Sequence, residues 1–397
     1  MTAHDFFADL PSVQTDESNA LKMKLHADSH PNKLDISAGV YRADTGKAYE
    51  FPSIKKAKDV LFEENPSHEY NLSVGIKEFN AIAEEISFGK TDDSIVTCQT
   101  LSGTGACSLG IKFLIKCCGI TNFYVGVPTW PNYIPMAESL GGIVKKYNYY
   151  DDETRDVKFD EIVSTLEGAS GKDSAFIFQA VAHNPTGMDL SEDQWKKITE
   201  IMKRKKLIAV IDSAYQGLSS GSIEKDRRAI EIFHESGLQF IVCQSFSKKM
   251  GIYGERVGAV HVVTYDQHKQ VQDQLRSLIR KEYSSAPAYG ARIATTVYTQ
   301  FKDQWYEELL AISEDLKAKR QKLYDQLKEN NVPGDFEHLL TSTGMFWWTG
   351  IKRETVSRLT DEHHVYLPKT GRVNIAGLND KNIPYFVKAL KESLEVC

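Results

Sequence analysis

Long apolar runs are missing from this chain of 397 residues; no stretch approaches the roughly 18 residues that a membrane-crossing helix needs. Cysteine is scarce. The six thiols, Cys98, Cys107, Cys117, Cys118, Cys243 and Cys397, include no CxxC pair and no zinc-site spacing. So few cysteines in a chain this long read as reduced, which points to a cytosolic or organellar compartment. A strong charge of one sign is missing as well. Lys and Arg number 48 against 54 Asp and Glu, and a net charge of −6 makes a poor non-specific partner for nucleic acid or an anionic membrane. With 26 glycines and 12 prolines the chain is neither collagen-like nor low in complexity. No HExxH or His-x-His pattern accompanies His363 and His364, so packed or solvated histidines are expected and no metal. No serine lies in GxSxG, which removes the simplest hydrolase. Asp5, Asp9, Asp16 and Glu17 precede the first lysine, Lys22, unlike a signal or transit peptide, and a cytoplasmic location is expected.

What is present is an ordinary folding composition, 41% hydrophobic and 26% charged, enough for two or three domains. From about residue 95 to 265, short β-branched or aromatic runs alternate with helical patterns. The runs are Phe123–Val127, Ala175–Phe178, Leu207–Ile211, Phe240–Cys243 and Val257–Val263. Strands buried on both faces read this way, as in an α/β fold with a mostly parallel sheet. A helix from Asp193 sets Trp195, Ile198, Ile201 and Met202 on one face and ends in Lys203-Arg204-Lys205-Lys206. That basic run suits a helix C-terminus better than a nucleic-acid patch. A long helix from about Gln304 to Asn330 ends before Pro333-Gly334 and leads into a smaller, mixed α+β segment.

In such a sheet, ligands gather at the carboxyl ends of the strands. Leu207–Ile211 runs into Asp212, with Tyr215 three residues on, and Phe240–Cys243 runs into Ser245-Phe246-Ser247-Lys248. Alone, Asp212 reads equally as a helix cap, and Lys248 reads more readily as a surface lysine. Ser102-Gly103-Thr104-Gly105 opens a helical pattern, where free N–H groups hold a phosphate, although the glycines match neither a Walker loop nor GxGxxG. Arg256 adds a cation. Together these supply what pyridoxal phosphate requires: a lysine to carry it, an acid for the pyridine nitrogen, a tyrosine for the ring hydroxyl and an anion cradle.

Over nearly its whole length the chain resembles the class I (fold type I) pyridoxal phosphate-dependent aminotransferases, in the subgroup around aspartate aminotransferase. The strings that carry this are Gly39-Val40-Tyr41-Arg42, His68-Glu69-Tyr70, Ser102-Gly103-Thr104-Gly105, Pro128-Thr129-Trp130, His183-Asn184-Pro185-Thr186-Gly187, Asp212-Ser213-Ala214-Tyr215, Ser245-Phe246-Ser247-Lys248, Glu255-Arg256-Val257-Gly258, Ile279-Arg280 with Tyr283-Ser284, Gly344-Met345-Phe346 and Gly371-Arg372-Val373-Asn374. The resemblance implies a seven-stranded, mostly parallel sheet between helices in a large domain (47–312). It implies a small α+β domain from both chain ends (14–46 and 313–397) and an arm (1–13) on a partner subunit. Lys248 would be the Schiff-base lysine and proton shuttle, Asp212 the partner of the pyridine nitrogen, Tyr215 that of the ring oxygen, and Trp130 the stacking ring. Ser102, Gly103, Thr104, Ser245, Ser247 and Arg256 would hold the phosphate, with Tyr70 from the partner. Arg372 and Asn184, with Gly39 and Phe346, would bind the substrate α-carboxylate, and Arg280 with Ser284 from the partner the distal one. Two arginines suit two carboxylates, since guanidinium binds each in bidentate fashion. The implied reaction is reversible, ping-pong amino transfer from L-aspartate to 2-oxoglutarate, giving oxaloacetate and L-glutamate in a homodimer. An aromatic amino acid aminotransferase is the alternative, and a pyridoxal phosphate lyase or decarboxylase a more distant one.

Three departures from the family pattern stand out. Tyr133 and Gln179 occupy positions where relatives usually carry histidines behind the acid at the pyridine nitrogen. A substitute hydrogen-bond chain through both is expected, since each donates and accepts. Ser18 and Asn19 replace an apolar pair that plugs the closed site, and Ser285-Ala286-Pro287 stands where Asn-Pro-Pro is common.

Overall fold

The computed structural model describes residues 7–12, 16–43 and 45–395. A seven-stranded sheet organises them: β1 (Ile95–Leu101), β2 (Asn122–Val127), β3 (Ile143–Asn148), β4 (Ser174–Gln179), β5 (Ile208–Ser213), β6 (Phe240–Ser245) and β7 (Val257–Val263). The order across it is β1-β7-β6-β5-β4-β2-β3. β7 runs antiparallel to both neighbours and the other pairings are parallel. Alternation along each strand fills both faces. In β6, Ile241 and Cys243 join one core cluster while Phe240 and Val242 join another.

β5 and β6 each run two residues past the expected ends, so Asp212 and Ser245 are themselves strand residues. β3 escapes the expected apolar pattern because it is an edge strand, Ile-Val-Lys-Lys-Tyr-Asn, exposed along most of its length. The helix α1 (Ser102–Cys118) follows β1 directly and closes on Gly119 in the left-handed region. The helix at Glu192–Lys205 has a full capping box, Ser191 with Gln194, and its basic last turn lies where the macrodipole favours it.

The long helix α2 spans Lys302–Glu329 and buries Trp305, Leu309, Ile312, Leu316, Leu323 and Leu327 along one stripe. Beyond it, Phe346–Trp348 pairs antiparallel with Arg372–Asn374, and Leu34–Asp35 pairs with Val365–Tyr366. These short ladders share one continuous core with the stripe of α2. His364 binds Asp28 at 2.7 Å and stacks on His30. Of the expected arm, Met1–Phe6 lies outside the described residues, while Phe7 and Leu10 are exposed. Among the described residues no helix is long and apolar enough to cross a membrane.

Candidate active site

The carboxyl ends of β1, β4, β5 and β6 surround a cavity of about 130 Å³. Ten residues singled out from sequence line it: Ser102, Gly103, Thr104, Trp130, Asn184, Asp212, Tyr215, Ser245, Lys248 and Arg256; Gln179 and Ala214 complete the wall.

One end is built for an anion. α1 presents its first turn there, with no acidic side chain in it, so free N–H groups and the helix dipole face the cavity. Ser102 Oγ lies 3.2 Å from Ser245 Oγ and 2.8 Å from Ser247 Oγ. A Cβ on Gly103 would come within 2.9 Å of Ser245 Cβ, so only glycine lets the helix close on the strand. Arg256, in the left-handed region just before β7, reaches the same rim. Because β7 runs opposite to its neighbours, the residue that precedes it arrives at their carboxyl ends.

Asp212 lies deeper. Its Oδ2 accepts from Tyr133 Oη at 2.5 Å, and its Oδ1 is buried with no hydrogen-bond partner among the described residues. Burial pushes its carboxyl up to about 6, against the opposing pull of Tyr133 and Lys248. Cys107, a helical turn past Gly103, faces the same carboxylate, and Cys243 pairs with Asp212 in strand register. Sequence reasoning missed both thiols; the one-turn spacing on α1 was the available signal. Lys248 Nζ sits 5.2 Å above the Tyr215 ring. Burial lowers its pKa, which favours a neutral, nucleophilic amine.

Arg372 lies outside that lining, next to its Asn184 and Tyr215. Nη1 donates to Asn184 Oδ1 at 2.9 Å and Nη2 to the Ser37 carbonyl at 2.6 Å, while Nε is buried without a partner. The guanidinium lies 4.2 Å over the Phe346 ring, which in turn meets Tyr215 edge-on at 5.8 Å. A Cβ on Gly39 would stand 2.8 Å from the tip of the Phe346 ring, so a side chain there would have to shift the ring that stacks on Arg372.

Some expected residues are not gathered here. Tyr70 is 89% exposed, and the exposed Arg280 donates to Ser284 Oγ; none of the three lines the cavity. Ser18 and Asn19 are exposed on the helix Glu17–Ala27. The expected chain through Tyr133 and Gln179 is corrected in its second half. Gln179 Nε2 donates to the Asn184 carbonyl at 2.9 Å, and its Oε1 accepts from the Asn184 N–H at 2.8 Å. Its amide is thereby committed to holding the Asn184 turn, and Tyr133 alone of the two reaches Asp212.

An orphaned carboxylate oxygen, a buried amine whose pKa is lowered and a cradle too tight for side chains fit pyridoxal phosphate, and fold and site together define a pyridoxal phosphate enzyme of fold type I. Comparison narrows the class. The model of the family "Aminotransferase class I and II" matches residues 31–390. The chain is 36% identical to the mitochondrial aspartate aminotransferase of Dictyostelium discoideum, over 98% of this chain and 93% of that one. It superposes with a TM-score of 0.95 on the cytoplasmic aspartate aminotransferase of Saccharomyces cerevisiae, 33% identical, covering 98% and 99% of the two chains. The TM-score is also 0.95 to an aromatic-amino-acid aminotransferase from Burkholderia pseudomallei covalently bound to pyridoxal phosphate, 31% identical, covering 98% and 100%. The chain belongs to the class I and II aminotransferase family.

Proposed function

We propose that the chain transfers the amino group of L-aspartate to 2-oxoglutarate, giving oxaloacetate and L-glutamate in two half-reactions. The observation that carries this reading is Arg372, a guanidinium with no carboxylate partner among the described residues, held by Asn184 and Ser37 and stacked on Phe346, whose ring meets the Tyr215 over which Lys248 lies. An amino acid whose α-carboxylate accepts from the N–H groups that Asn184 and Ser37 leave free on Arg372 is held near the lysine.

Bound pyridoxal phosphate supplies an electron sink for the carbanion left when a proton leaves the substrate. Ser102, Gly103, Thr104, Ser245, Ser247 and Arg256 would hold its phosphate, and Lys248 its reactive carbon. Asp212 would keep a proton at its ring nitrogen, Tyr215 would pair with its ring oxygen and Trp130 would stack on its ring. Lys248 Nζ takes the substrate proton and returns it one carbon away. Phe346 and Tyr215 shield that transfer from water.

Arg280, exposed in one chain, and the half-buried Ser284 are proposed to complete the distal-carboxylate site of a second copy in a homodimer, with Tyr70 on its phosphate. The same reading assigns residues 1–13 to an arm on that partner, 14–46 with 313–397 to the small domain and 47–312 to the large one. A cytoplasmic location fits the yeast relative, although the Dictyostelium relative is mitochondrial.

The test is a single half-reaction. Cofactor-loaded protein is given L-aspartate without any oxo acid, and oxaloacetate is counted per site. One equivalent supports the proposal. No oxaloacetate, with a full equivalent of phenylpyruvate from L-phenylalanine, moves the assignment to the aromatic reading, which the likeness to the Burkholderia enzyme supports.

A further inference from the structure

Arg320 sits on α2 in the stripe of Leu316, Leu323 and Leu327 and is 3% exposed. A guanidinium buried this deeply is ordinarily paired with a carboxylate. Arg320 has no such partner among the described residues. Its Nε donates to Ser342 Oγ at 3.3 Å and its Nη2 to the carbonyls of Thr343 at 3.1 Å and Phe346 at 2.9 Å. Nη1 makes no hydrogen bond to a described residue. Asp189, the acid whose charge reaches Arg320, is committed elsewhere: it accepts from the Ala182 and His183 N–H groups and the Thr343 hydroxyl.

Beside Arg320 lies a cavity of about 320 Å³ between Leu218-Ser219, α2 and the segment from Leu340 to Gly344. Its lining carries two charges, Arg320 and Lys317, and no acidic side chain. The two cations lie one turn apart on the same helix face. Lys317 is exposed and makes no ion pair among the described residues. In a chain of net charge −6, a cavity whose fixed charges are both positive selects for anions.

We propose that this cavity is a second ligand site that takes a small metabolite bearing an oxyanion, carboxylate or phosphate, on Arg320 and Lys317. Its lining shares no residue with that of the cavity at the strand ends. A short path nevertheless joins the two. Arg320 Nη2 holds the Phe346 carbonyl, and the Phe346 ring lies against the Arg372 guanidinium. An anion that draws the Arg320 fork competes with that carbonyl, so occupancy is felt where the amino acid binds, and the coupling is reciprocal.

The test uses cofactor-loaded protein, in which the phosphate cradle is filled, carrying Arg372→Leu so that the substrate pocket does not compete. Inorganic phosphate and succinate are each titrated by calorimetry into this background, with and without Lys317→Glu. The expected result is saturable binding of one probe, one per chain, about tenfold weaker or worse with Lys317→Glu; the probe that binds identifies the source of the oxyanion. Failure of both probes to bind at millimolar concentration overturns the proposal, as does binding indifferent to Lys317→Glu. Arg320→Gln should abolish binding. Should that variant not fold, Lys317→Glu, an exposed change, carries the test by itself. With Arg372 intact, the bound probe should shift KM for the amino acid, and Lys317→Glu should remove the shift.

Discussion

Replacing Tyr133 by Phe deletes one oxygen, the donor to Asp212 Oδ2 at 2.5 Å. Oδ1 is already without a partner, so the carboxylate loses its one side-chain hydroxyl donor. Burial holds the Tyr133 phenol far above its ordinary pKa, so in the native protein it donates throughout the working range. A hydrogen bond to a charged group contributes about 1.5–3 kcal/mol, and one pKa unit corresponds to about 1.4 kcal/mol. Tyr133→Phe should therefore raise Asp212 by roughly one to two units from its present value of about 6. For a raised acid, the ionised form is lost as pH falls through the new, higher value. At neutral pH much of Asp212 would then be uncharged and unable to hold a proton on a ring nitrogen. Affinity of the apoprotein for pyridoxal phosphate should drop about two- to tenfold near pH 7, in step with the ionised fraction, and recover above about pH 9, where the carboxyl is again ionised. Equilibrium fluorescence titration at both pH values reads this directly. Unchanged affinity at neutral pH, or an equal loss at both, refutes the reasoning.

Arg280→Ala should cut kcat/KM for aspartate by about a hundredfold or more, as removal of a bidentate charge partner does, and improve the ratio for phenylalanine; an unchanged preference removes Arg280 from substrate recognition. Gly103→Ala should weaken pyridoxal phosphate binding, because the new Cβ meets Ser245 Cβ at 2.9 Å and must push helix from strand; retained affinity in the same fluorescence titration would show that the cradle has slack. Lys249 is wholly buried, donates to Gln216 Oε1 at 2.7 Å, and burial brings it down to about 7 from 10.5. Between those values the unfolded chain binds a proton that the folded chain does not, so stability rises with pH by about 1.4 kcal/mol per unit and is flat below them. Lys249→Met should gain stability relative to the native protein near pH 6 and lose that advantage near pH 10, as followed by urea unfolding; a difference independent of pH contradicts it. Gln179→His breaks both bonds to the Asn184 backbone and should raise KM for the amino acid more than it lowers kcat; an effect on kcat alone would point to Asp212 instead.

The interior of the sheet was legible because β4, β5, β6 and β7 are buried on both faces and their apolar runs admit few other readings. β3 was not, since an edge strand with Lys145 and Lys146 facing solvent looks like a loop. Asp212 and Lys248 were legible as polar residues at the ends of apolar runs, a local signal. Arg372 and Asn184 lie far apart in the chain, and their 2.9 Å contact depends on how the C-terminal segment folds back. Resemblance, not spacing, singled them out. Cys107 and the committed amide of Gln179 were hidden because both depend on which face of α1 and which rotamer meet β5, a matter of packing. Arg320 was the most misleading. Its place in the helical pattern is a core position, and nothing local distinguishes a buried cation from a surface one.

The one strand that runs backwards fastens the loop that carries the lysine. Lys248 and Arg256 occupy a single loop that leaves β6 at Ser245 and re-enters the interior of the sheet at Val257, with Gly258 paired to Ser245 and the Phe246 N–H bonded to the Val257 carbonyl. That loop cannot open without unzipping interior strands, so it belongs with the slowest-exchanging amides of the molecule. Arg372, by contrast, hangs on a ladder of three residues, Phe346–Trp348 against Arg372–Asn374. A ligand held by both is therefore gripped by two separately bonded pieces of chain, one woven into the interior of the sheet and one carried on a three-residue ladder over the α2 core.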